Sequence, residues 1–119
     1  MNMIKGYQDL LVWQRSMSLV EMVYRLATNL PNEEKFGLIC QMCRAAVSIP
    51  SNIAEGYGRQ ASGEYRHHLS IARGSLLELE TQMILCQRLG FISQEQTIPV
   101  LTEIVEISKM LATIIGKLK

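Results

Sequence analysis

Residues 44–59 read Arg44-Ala-Ala-Val-Ser-Ile-Pro-Ser-Asn-Ile-Ala-Glu-Gly-Tyr-Gly-Arg59. The stretch sets Pro50, several polar side chains and Glu55 inside what otherwise reads as a long amphipathic helix. An interior proline removes a backbone donor and clashes with the preceding turn, at a cost of about 3 kcal/mol. Two rows nevertheless keep helical phase across it. One is apolar (Phe36, Ile39, Cys43, Ala46 or Val47, Ile53) and one polar (Gln41, Arg44, Ser48, Asn52, Glu55). Steps of three and four place each row on one helical face. The spacing therefore predicts a single helix, kinked near Pro50. Gly56 and Gly58 are expected to end it in a left-handed turn, which glycine tolerates best.

Upstream, Asn32 reads as this helix's cap, with Glu33 and Glu34 in its positive first turn. Pro31 closes an earlier helix, because the residue before a proline avoids helical geometry. That helix is predicted from Asp9, its cap or first turn, to Leu30. Its apolar face reads Leu10, Trp13, Met17, Val20, Tyr24 and Ala27, widened by Leu19, Met22, Val23 and Leu26. Residues 1–8 read as an extended lead-in.

Downstream, Ser62 is the expected cap of a third helix, with Glu64 in its first turn. Its row Leu69, Ala72, Leu76, Leu79, Met83, Cys86 alternates steps of three and four without a break. Gly90 is the expected stop. Ser93 and Gln96 form a capping-box pattern for a fourth helix, with the stripe Val100, Ile104, Ile107, Leu111, Ile114, Leu118. Pro99 falls near its first turn, where a missing donor costs little.

No strand signal interrupts this pattern. The expectation is all-α, one domain over residues 1–119: an antiparallel up-down-up-down four-helix bundle. Apolar residues on more than one face of the first and fourth helices predict a homo-oligomer.

A net charge of +1 gives no global signal for nucleic acid or membrane. The charge is uneven, however. Arg44, Arg59, Arg66 and Arg73 outnumber Glu55 and Glu64 between residues 38 and 77, whereas residues 78–107 are acidic. No apolar run approaches the roughly 20 residues that span a bilayer. The start, Met1 to Asp9, lacks the apolar core of a signal peptide. A cytoplasmic protein with reduced Cys40, Cys43 and Cys86 is expected, away from membranes.

Arg44 to Gly56, then Gly58-Arg59, then Leu69 to Glu80 with Ala72, Gly74-Ser75 and Glu78, resemble the four-helix-bundle family, also called the ribosomal S23 or 23S rRNA intervening-sequence protein family. Tyr7 to Gln14 and Leu38 to Gln41 resemble it too. The resemblance implies a homopentamer with no established enzymatic activity. Some members are encoded inside intervening sequences of 23S rRNA genes, and a related protein assists a retroelement reverse transcriptase.

Two groups of residues are candidates for function. Arg44, Ser48, Asn52 and Glu55, facing Ser75 and Glu78, read as a structural polar network or as a polar pocket. In the network, Arg44 would pair with Glu55 or Glu78, and Ser48 or Asn52 would satisfy carbonyls freed by Pro50. Arg59, Arg66, Arg73, His67 and Tyr57, with Tyr65, make the best nucleic-acid patch: arginine suits phosphate and tyrosine stacks on bases. The alternative is a solvated surface with cations paired to Glu64 and Glu80.

Cys40 and Cys43 form a CxxC inside a helix without a second pair, and His67 and His68 are adjacent, so no metal is expected. The cysteines read as small buried hydrophobes. Nucleophile elbows, phosphate loops and a Glu-x-x-His motif on each of two helices are missing, so neither catalysis nor a cofactor is expected. The reading is a non-enzymatic oligomer that binds RNA or DNA weakly through its basic face. The alternative is a scaffold or accessory subunit for a protein partner such as a reverse transcriptase.

Overall fold

A computed structural model describes residues 4–118. Among them the chain forms four helices: α1 (Leu11–Ala27), α2 (Leu38–Tyr57), α3 (Ser62–Arg88) and α4 (Gln94–Lys117). Short 3₁₀ turns stand at Tyr7–Asp9 and Asn32–Glu34, and no strand occurs among the described residues. Of the predicted lead-in, residues 1–3 lie outside the description.

Each helix has two close neighbours among the described residues, in the cycle α1–α2–α3–α4–α1, and all four contribute side chains to one core. Three contacts fix the direction of α3 against α2. His68 meets Asn52, Ser75 meets Ser48, and Cys86 meets Met42. Positions rise along one helix as they fall along the other, so the pair is antiparallel. Arg66 near the start of α3 reaches Leu118 at the end of α4, so that pair is antiparallel too.

The core is aliphatic. The predicted α3 row, Leu69, Ala72, Leu76, Leu79, Met83 and Cys86, is buried throughout, as are Val100, Ile104, Ile107 and Leu111 of α4. In α1 the buried face is Val12, Ser16, Leu19, Val23 and Ala27. This corrects the expected face, since Met17 and Tyr24 are exposed and Trp13 and Val20 only half-buried. Ser16 explains the misreading. It interrupts the true row, but it is small, and its hydroxyl donates to the Val12 carbonyl at 2.7 Å, so it is buried at little cost. In α2 the buried set is Met42, Ala45, Ala46, Ile49, Pro50, Ile53 and Gly56, while Phe36 lies in the preceding loop and is 89% exposed.

α2 runs unbroken through Pro50 as one helix. Gly56 does not end it in a left-handed turn. It is buried within α2, and Gly58, the cap, has φ −75°. A Cβ on Gly56 would lie 2.6 Å from the Cβ of His68 and 3.1 Å from Cδ1 of Tyr65. The glycine is there because α3 passes too close for any side chain. Gly90 does take the left-handed form, with φ +80°.

The cap assignments divide in the same way. Ser93 and Gln96 make the capping box, with Gln96 N donating to Ser93 Oγ and Ser93 N to Gln96 Oε1. Asp9 and Asn32 are not caps, because α1 starts two residues after Asp9 and α2 six after Asn32. Glu34 Oε1 instead accepts from Leu38 N at 3.3 Å, serving the first turn of α2 from outside it. Ser62 is the first residue of α3 rather than its cap. Pro99 falls in the second turn of α4, on its exposed side.

Candidate functional site

The polar row of α2 meets α3 along one seam. Asn52 Nδ2 donates to the Ser48 carbonyl (2.8 Å) and to Ser48 Oγ (3.0 Å). A carbonyl only accepts, so the amide orientation is fixed and Oδ1 faces His68 Nδ1 at 3.1 Å, which must donate. Ser75 Oγ donates to Ser48 Oγ at 2.9 Å. Ser48, Asn52 and Ser75 thus form one connected relay, with His68 as a member that sequence reasoning missed. Its position one helix away from Asn52, beside the Gly56 contact, gave no sequence signal.

Arg44, Glu55 and Glu78 do not join this relay. All three are exposed. Arg44 pairs with neither glutamate among the described residues. Glu55 accepts from Arg59, and Glu78 accepts from Gln82 Nε2 at 3.2 Å. Nor does any side chain among the described residues donate to the Ala46 carbonyl, the one that Pro50 frees. Asn52 bonds Ser48 instead.

Arg44 and Glu78 still share a place. With Gln41, Ala45, Ser48 and Ser75 they line an open recess of about 300 Å³ between α2 and α3. Beside it, Gln82 is 6% exposed and its Oε1 is buried without a partner. Arg44 and Ser48 also border a hollow of about 520 Å³ over α1 and α2, with Tyr24, Cys40, Cys43 and Val47.

Two arginines of the candidate basic patch have partners within the chain. Arg59 is held by Glu55 at 3.1 Å and Glu64 at 3.8 Å. Arg66 Nη1 donates to the Leu118 carbonyl at 3.1 Å, where a cation suits the negative end of α4. Tyr57 packs edge-on against Tyr65, and the exposed His67 against His68. Arg73 alone of the three arginines is exposed without an ion pair among the described residues. It lines a groove between α3 and α4 with Leu77, Glu80, Val105 and Lys109.

Only Cys86 is fully buried, while Cys43 is half-buried and Cys40 exposed. Burial pushes the thiols of Cys43 and Cys86 up. Among the described residues, no group of three His, Cys, Asp or Glu side chains is placed to hold a metal. No helix there is long and apolar enough to cross a membrane.

A family model described as 23S rRNA-intervening sequence protein matches residues 8–113. A crystal structure from Bacteroides thetaiotaomicron, of a protein with unknown function from the S23 ribosomal protein family, is similar with a TM-score of 0.82 and 30% identity. That likeness covers 88% of this chain and 98% of that one. No curated protein matches.

Proposed function

Because the chain belongs to the 23S rRNA-intervening sequence protein family, we propose that it works without catalysis, as a homo-oligomeric scaffold offering repeated surfaces to a protein partner. The observation behind this is a pair of apolar edges on opposite sides of the bundle. On the α3/α4 side, Leu77 (63% exposed) lies beside Val105. One heptad along, Ile84 and Ile98 are exposed too. On the α1/α2 side, Trp13, Met17, Val20 and Val47 line a further hollow of about 370 Å³. Apolar surface of this kind marks an interaction site. Joining one copy's α3/α4 edge to the next copy's α1/α2 edge is a heterologous contact, and such contacts make a ring when the rotation between copies closes. A pentamer is the ring size we favour. Light scattering tests the scaffold: a mass of several chains that falls to one chain in Leu77→Glu supports it, and a wild-type monomer overturns it.

Arg73 favours a second reading, weak RNA binding. Repeated around a ring, a single free arginine per copy gains avidity without new contacts. Fluorescence anisotropy at low salt tests this reading. Binding that weakens as salt rises, and that is lost in Arg66→Glu, Arg73→Glu, supports it. No binding at low salt overturns it.

A further inference from the structure

We propose that the recess between α2 and α3 binds a small zwitterion, a free α-amino acid with an apolar side chain. Arg44 and Glu78 line one recess of about 300 Å³, yet form no ion pair with each other. A simple anion there would meet the Glu78 carboxylate, and a simple cation the Arg44 guanidinium. A ligand carrying both charges satisfies both walls. The recess is at the small end of the range for ligand pockets, so the charged head must be compact.

The hydrogen bonds point the same way. Ser48 Oγ already accepts from Asn52 Nδ2 and Ser75 Oγ, which leaves its own proton for the recess. The Glu78 carboxylate is steadied by Gln82 Nε2. A ligand carboxylate would accept from Arg44 and Ser48, and its ammonium would donate to Glu78. Arg44 and Ser48 also border the hollow that holds Tyr24 and Val47, which receives an apolar side chain. Val47 also lines the hollow at the proposed assembly edge, so the side-chain site adjoins that interface.

The test is thermal unfolding with leucine, methionine or phenylalanine at about 10 mM, expected to raise the melting temperature by about 3 °C or more, saturably. N-acetyl-leucine and leucinamide, each lacking one charge, are expected to give no rise. Arg44→Gln and Glu78→Gln are each expected to abolish it. The proposal is overturned if no amino acid raises the melting temperature, if the blocked derivatives act equally, or if a nucleoside such as guanosine alone has an effect. Should either variant fold poorly, the derivative series on the unaltered protein still decides.

Discussion

The apolar stripe of α3 is buried along its whole length, from Leu69 to Cys86. α1 carries two such stripes side by side. Val12, Leu19, Val23 and Ala27 face the core, while Met17 and Tyr24 are exposed and Trp13 and Val20 stand half-buried at the core's margin, all four lining hollows shared with α2. The two helices differ little in how regular their rows are. They differ in how many surfaces they must cover. α3 has one core to fill. α1 fills the same core and keeps a second apolar face, and that surplus is what we read as an interface.

The comparison can be broken most forcefully in α3. Leu79→Ala removes a fully buried side chain from the centre of the core and is expected to cost about 3 kcal/mol in urea unfolding. A loss near zero would mean that α3 does not carry the core. Gly56→Ala comes next. Its new Cβ would collide with Cβ of His68, and a loss of about 2 kcal/mol is expected from forced separation of α2 and α3. Met17→Ala sharpens the contrast from the α1 side. Met17 is 41% exposed, so chain stability should fall by less than about 1 kcal/mol, while light scattering should show weakened assembly. A stability loss as large as that of Leu79→Ala would put Met17 in the core after all. The smallest effect is expected from Arg44→Ala. The exposed, unpaired guanidinium should leave unfolding within about 0.5 kcal/mol of wild type, against the marked loss that a buried network predicts.

Where one periodic signal ran alone, the sequence was a good guide. The α3 row, the Ser93–Gln96 box and the Gly90 stop are local patterns, and each is present. α1 was misread because periodicity reports apolarity and not which apolar row turns inward. Ser16 concealed the true row by looking polar, although its backbone hydrogen bond lets it be buried. The polar seam was half legible. Ser48, Asn52 and Ser75 come together as their spacing suggested, but Arg44, Glu55 and Glu78 stay in solvent. Helical spacing places side chains on a face, and the width of the seam decides which of them reach across. Two arginines of the basic patch have partners within the chain for a related reason. Arg59 sits one turn from Glu55, and Arg66 meets a helix end that is 52 residues away in the chain.

Gly56 has one more consequence, and it concerns motion. Elongated helices in a bundle can in principle slip past each other by one turn, trading one set of contacts for a similar set. Here α3 rests in a notch one residue wide. Sliding α2 by a turn would bring Asn52 or Ile53 to the place where His68 lies against bare backbone, and a Cβ there would meet the same close contacts that one on Gly56 would. The glycine therefore acts as a keyway. It sets the two helices against axial travel of one turn, so that relative motion between them is steered toward tilting or separation.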